Sequence, residues 1–205
     1  MNNDGIFLKP KGNYRNLIAY QKAECIYDIT HFFAHKYFSK GDRTIDQMVQ
    51  AARSGKQNIA EGCAAAATSS ETEIKLINVA RASLQELLLD YEDYLRVNNL
   101  EQWAYDTPKA KQARAACTAH NDSAYYREAI AERSAETVAN IAITLIHQAD
   151  VFLRRLLERL QRDFVSSGGI REQMTRARLD YRKNKTNETN GTNKTNKPNK
   201  TNKTN

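Results

Sequence analysis

Turn-forming residues are scarce: 8 Gly and 3 Pro in 205 positions. A β-sandwich or barrel needs turn signals about every 8–12 residues, so this supply argues against an all-β fold. Long apolar runs are missing, and none approaches the roughly 18 residues that span a bilayer. No membrane partner is therefore expected. Only three cysteines occur, at 25, 63 and 117, with no CxxC spacing. An odd count without pairing motifs reads as free thiols in a reducing compartment. The opening Met1-Asn2-Asn3-Asp4-Gly5 lacks the basic-then-apolar order of a signal peptide, so a cytoplasmic location is expected. No glycine-rich phosphate loop exists either, because Gly168-Gly169 lacks the spacing and the Lys-Ser that such a loop needs.

Charge and polarity are plentiful. Charged residues make up 27% of the chain and mean hydropathy is −0.72, which fits one soluble domain with an appendage. The net charge is +7, but unevenly placed. From 184 to 205 five Lys against one Glu give +4, leaving +3 for the other 183 residues. A pI near 9.3 points toward a polyanion, and the split weakens that pointer. The 184–205 segment is a Thr-Asn-x repeat with Pro198 as its sole apolar residue, a composition that cannot offset ordering entropy. It is expected to be disordered. Its Asn-x-Thr words, such as Asn187-Glu188-Thr189, fit a glycosylated stalk only in a secreted chain. Without a signal peptide, an expanded low-complexity tail is the better reading.

Helical periodicity fills the rest. Ile18, Cys25, Ile29, Phe32 and Phe33 mark a first helix from about Asn16 to Phe38. Asp42 caps a second, striped by Ile45, Met48, Val49, Ala52, Gly55 and Ile59. A glycine costs about 1 kcal/mol against alanine inside a helix, so Gly55 on the apolar face predicts close approach by a neighbour. Gly62 reads as the end of that helix. Ser70-Glu71-Thr72-Glu73 reads as a capping box opening a third helix, with Ile74, Ile77, Leu84, Leu88, Tyr91 and Leu95 on one face. Arg81 falls on that same face and needs a carboxylate or an escape to solvent. Asn98-Asn99 and Asp106-Thr107-Pro108 break the pattern. Short helices follow from Lys109 to Ala119 and from Asp122-Ser123 to Glu132. Ser134 caps the last long helix (Val138, Ile141, Leu145, Phe152, Leu156, Leu160), which ends at Ser166-Ser167-Gly168-Gly169. A short basic helix is expected over Ile170–Lys183.

Two stretches carry a resemblance. Gln50-Ala51-Ala52-Arg53-Ser54-Gly55-Lys56-Gln57-Asn58-Ile59-Ala60-Glu61-Gly62, with Ser70–Lys75 and Asn78–Leu87 behind it, resembles the four-helix bundle family encoded in 23S rRNA intervening sequences. The accessory protein of diversity-generating retroelements is similar to that family. Ala139-Asn140-Ile141, Leu145-Ile146-His147-Gln148 and Gly168–Met174 with Arg176 and Arg178 resemble its four-helix bundle suffix branch. The resemblance implies an up-down-up-down bundle assembled into a ring, commonly a pentamer, without catalytic activity. From the retroelement relatives it implies binding of nucleic acid and a reverse transcriptase through a basic surface.

Candidate residues form two groups. Arg53, Lys56, Asn58 and Glu61 lie within about two turns. They read either as a surface for a polyanion or neighbouring subunit, or as a polar network with Arg81, in which Glu61 or Glu86 pairs the arginine. The structural or interface reading is preferred for Asn58, Glu61, Arg81 and Glu86. The second group is Arg154, Arg155, Arg159 and Arg162, then Arg171, Arg176 and Arg178. Between Arg154 and Lys183 nine basic residues face four acidic ones. This surplus suits nucleic-acid contact, its alternative being a solvated face paired to Glu158 and Asp163. No aromatic is read among these cations, which disfavours base stacking.

Asp28, His31 and His35 share a helix face, yet Phe32 and Phe33 fill the middle, where a zinc-protease HExxH motif has its Glu. They read as ordinary histidines, not as a zinc site. Cys63 follows a helix end, where thiol pKa is not depressed. Ser54 and Ser83 have no histidine to activate them. No catalytic, cofactor or metal residue is therefore predicted. Trp103 reads as an anchor that docks the insert.

The expectation is an all-α chain: an antiparallel up-down-up-down four-helix bundle over 14–183. It includes a helical insert at about 98–133 and a basic suffix at about 168–183, before the 184–205 tail. Its expected role is a non-enzymatic oligomeric module contacting nucleic acid and a nucleic-acid-processing enzyme such as a reverse transcriptase. The alternative is a structural homo-oligomer or protein–protein adaptor with no nucleic-acid ligand.

Overall fold

The structure, a computed structural model, describes residues 13–192. These residues are all-helical, with no strand among them. A 3₁₀ turn at Tyr14–Asn16 leads into α1 (Ile18–Tyr37), α2 (Arg43–Ala65) and α3 (Ser70–Val97). Then come α4 (Pro108–Ala119), α5 (Ser123–Ile130), α6 (Ala135–Ser167) and α7 (Ile170–Thr192).

Most helix starts lie where their capping residues predict. The Asp42 carboxylate accepts from the Thr44 N–H at 2.9 Å. Thr107 caps α4, with Pro108 as its first residue. Asp122 accepts from the Tyr125 N–H at 2.9 Å, and Ser134 from the Thr137 N–H at 3.3 Å. The cap of α3 differs from expectation. Ser69, not Ser70, accepts from the Thr72 N–H at 3.1 Å. The Ser69 N–H closes the preceding turn onto the Ala65 carbonyl at 2.8 Å. That bond leaves Ser69 extended and makes Ser70 the first helical residue.

Gly62 does not end α2, which continues to Ala65. A Cβ at Gly62 would lie 3.2 Å from Ile77 Cδ1, and one at Gly55 would lie 2.6 Å from Leu84 Cδ2. The two glycines, seven positions apart, face α3 together and let the helix backbones approach. Gly55 thus performs the role its position predicts, and Gly62 shares it.

Helices α1, α2, α3 and α6 close a cycle of contacts: α1 packs on α2 and α6, and α3 packs on the same two. Ile26, Ile29, Phe33, Met48, Ile59, Leu84, Leu87, Tyr91, Leu145 and Leu153 are buried inside this cycle. Each such side chain contributes about 1.5–3 kcal/mol of burial. The Tyr91 hydroxyl donates to Thr30 Oγ1 at 2.9 Å, so its polar end is satisfied in the core. Ile18, expected on the apolar stripe, is exposed at the start of α1.

The connection between α3 and α6 is ordered. Asn99 adopts φ +53° and turns the chain out of α3. Helix α4 packs on α6, and α5 packs on α1. Trp103 fastens the linker: its backbone N–H donates to Asn140 Oδ1 at 2.8 Å and its indole N–H to Glu136 Oε1 at 3.3 Å. Asn140 returns a bond to the Glu101 carbonyl at 2.8 Å.

Helix α7 continues to Thr192, past the boundary at 184 where a disordered tail is expected from the repeat. Its Met174, Leu179 and Tyr181 are exposed. The expectation for 193–205 lies outside the described residues.

Candidate nucleic-acid interface

The last third of α6 presents its arginines in two directions. Arg154 turns toward Asp150, its Nε 3.0 Å from Oδ2. Arg155, Arg159 and Arg162 follow an i, i+4, i+7 stripe and line a cleft of about 440 Å³ against the start of α1. Ile18, Ala19, Phe152 and Leu156 also line it, giving it an apolar component. None of the three guanidiniums makes an ion pair or hydrogen bond among the described residues. Glu158 and Asp163, their nearest acidic neighbours in sequence, take up none of them. Leu17 has no side-chain oxygen to cap α1, and the first turn of α1 has no acidic residue. The backbone N–H groups there add to the positive field instead of being neutralised.

Arg171, Arg176 and Arg178, with Arg182 and Lys183, are exposed along α7 and unpaired among the described residues. Tyr181 is exposed on the same helix, three residues after Arg178 and one before Arg182. It is an aromatic among the cations, which a reading of charge alone passes over.

The α2–α3 group separates into parts. The Lys56 ammonium lies 4.2 Å from the centre of the Tyr27 ring, a cation–π contact from α2 to α1. The Asn58 amide donates to the Ser54 carbonyl at 2.9 Å and to Ser54 Oγ at 3.1 Å. Ser54 Oγ meets Ser83 Oγ at 2.9 Å, which joins α2 to α3. Arg81 does find a carboxylate, but on α6: its Nε is 2.6 Å from Asp150 Oδ1. Glu61 and Glu86, the partners expected for Arg81, are exposed and do not reach it. Glu86 instead shares a cleft with Asp46 and Asp90. Burial, and then the Glu86 and Asp93 charges, push the Asp90 carboxyl above its usual range. Arg53 is exposed on α2, and neither it nor Lys56 lines the arginine cleft.

The other chemistry-bearing residues have structural surroundings. His31 and His35 stack at 4.3 Å on an exposed face. Asp28 accepts from the Ser123 hydroxyl and ties α5 to α1. Among the described residues no group of three or more His, Cys, Asp or Glu is placed to hold a metal ion. Cys25 and Cys117 are free and buried. Burial pushes the Cys25 thiol up to about 12 and raises that of Cys117.

One charged residue escaped the sequence reading. Lys22 is only 1% exposed. Its ammonium donates to the carbonyls of Cys117 and, at 3.3 Å, His120. Those carbonyls belong to the last turn and C-cap of α4, where the helix dipole favours a cation. Burial lowers the Lys22 pKa. The signal lay in spacing: Lys22 is one turn before Cys25 and Ile26 on the buried face.

Among the described residues no helix is long and apolar enough to cross a membrane. No family model, no curated protein and no solved structure matches the chain.

Proposed function

We propose that this chain is a non-enzymatic binding module that contacts nucleic acid through its α6–α7 arginines. The observation that carries the reading is the set of guanidiniums at Arg155, Arg159 and Arg162, lining one cleft without a counter-ion among the described residues. Arg171, Arg176 and Arg178 on α7 are exposed as well and add further unpaired charge among the described residues. Arg–phosphate contacts position a strand without reading its sequence, so binding is electrostatic and falls steeply with salt.

The finer architecture belongs to this proposal. The contacts among α1, α2, α3 and α6 and the short links 38–42 and 66–69 support an antiparallel up-down-up-down four-helix bundle. Helices α4 and α5 are then its insert, and α7 its basic suffix. The sequence words around Asn58-Ile59-Ala60-Glu61-Gly62 motivate membership of the intervening-sequence family, suffix branch. They also motivate a cytoplasmic ring, with five copies as the first size to test and a reverse transcriptase or related enzyme as a second partner. In a ring each copy repeats the arginine field, so a modest charge per chain becomes a strong local potential.

A second reading, a protein–protein adaptor without nucleic acid, is favoured by exposed apolar residues on α3, namely Val79, Leu89 and Val97. Binding of labelled RNA and DNA across a salt series, with light scattering for mass, separates the two. Salt-sensitive binding that weakens in an Arg155→Gln/Arg159→Gln/Arg162→Gln variant supports the nucleic-acid module. Assembly without binding at any salt concentration leaves the adaptor.

A further inference from the structure

We infer that the cleft between α1 and α6 is a phosphomonoester site that takes the phosphorylated end of a nucleic-acid strand. The inference rests on the nucleic-acid reading above and adds a ligand chemistry to it. Arg155, Arg159 and Arg162 come from successive turns of one helix and line one concavity, so their relative placement is fixed by the helix repeat. All three side chains are exposed and without a counter-ion among the described residues, so three uncompensated positive charges line one open groove.

Charge favours a strand end. An internal phosphodiester carries one negative charge, whereas a terminal phosphomonoester carries about −1.5 to −2 near neutral pH. Three guanidiniums match the second better, because each charge-assisted bond to the same phosphate needs an acceptor oxygen with charge to share. The cleft, at about 440 Å³, is an open groove with room for a terminal phosphate. Exposed Ile18 and half-buried Phe152 offer an apolar surface beside the arginines, on which the terminal sugar and base can lie. The uncapped N–H groups of α1 reinforce the preference for a dianion.

The test uses the full chain and two fluorescent oligonucleotides of one sequence, differing only in a 5′-phosphate or a 5′-hydroxyl. A mononucleoside monophosphate and inorganic phosphate serve as competitors, and their effect on melting temperature is read separately. Binding of the 5′-phosphorylated strand about tenfold tighter is expected, the worth of one additional charge-assisted contact. An Arg159→Gln variant should lose most of that preference, and an Arg159→Lys variant should recover part of it. Equal affinity for both strands at every salt concentration overturns the site and leaves the nucleic-acid module standing. Binding of the mononucleotide without either strand keeps the phosphomonoester site and overturns the nucleic-acid module. No binding of any strand, with no effect of phosphate or mononucleotide on melting, overturns both.

Discussion

Replacing Gly55 by alanine tests how closely α2 approaches α3. An added Cβ would lie 2.6 Å from Leu84 Cδ2 and 2.8 Å from Leu84 Cγ. Carbon pairs prefer about 3.5–4.0 Å, so Leu84 must move by about 1 Å. Leu84 is itself buried in the core and has little room to retreat. Overpacking of this kind costs about 1–3 kcal/mol, while alanine regains about 1 kcal/mol of helix propensity. The single variant is therefore expected to lose about 0–2 kcal/mol. Leu84→Ala alone leaves a cavity and costs about 2–5 kcal/mol. In that background Gly55→Ala meets no obstruction and should gain about 1 kcal/mol. The two substitutions are thus coupled by about 1–3 kcal/mol. Urea unfolding of the four chains at one fixed protein concentration, followed by circular dichroism, measures this. A coupling energy below about 0.5 kcal/mol, the scatter of independent sites, would refute the close approach.

Other predictions follow from single contacts. Arg81→Ala should cost about 1–2 kcal/mol, because it breaks a charged hydrogen bond between α3 and half-buried Asp150. Arg154→Ala, which breaks the exposed i, i+4 half of the same cluster, should cost under about 0.5 kcal/mol in the same urea assay; equal losses would contradict the assignment. Burial holds the Cys25 thiol protonated up to about 12, against 9.0 when free. The folded state then binds more protons than the unfolded state above pH 9, so stability falls as pH rises through that window. Cys25 alone contributes a loss of about 1.4 kcal/mol between about pH 8 and 10. A Cys25→Ala chain should show a shallower alkaline decline by that amount, and an identical slope would exclude a buried thiol. Burial lowers the Lys22 pKa, which works in the opposite direction at alkaline pH. Lys22→Met should strip the C-terminus of α4 of its cation and raise amide hydrogen exchange in α4 and α5 more than in α2; uniform protection would count against that anchoring role.

The fold was legible where a local rule suffices. Asp42, Pro108, Asp122 and Ser134 start helices through contacts within one turn, so their spacing alone predicts them. The cap of α3 slipped by one residue because the preceding turn chose between two adjacent serines. Gly62 reads as a stop in sequence because a glycine that admits a neighbour and one that ends a helix look alike without the facing Ile77. The partner of Arg81 was out of reach for a different reason. Asp150 is 69 positions away in sequence, while Glu61 and Glu86 merely lie closer. The helical start of the Thr-Asn repeat was missed because its composition gave no sign of a continuing helix. The arginine stripe was visible from spacing, but the opposing apolar wall and the uncapped start of α1 required the packed helices.

The most direct measurement of the central claim is the salt dependence of nucleic-acid binding by the full chain and by the Arg155→Gln/Arg159→Gln/Arg162→Gln variant. Each arginine on a phosphate contributes about 0.7–0.9 to the slope of log K against log salt. The account predicts a shallower slope in the variant, by about 1 where the three arginines share one terminal phosphate and by about 2–3 where each meets its own, with assembly mass unchanged. Binding whose slope and strength are the same in both chains would contradict it.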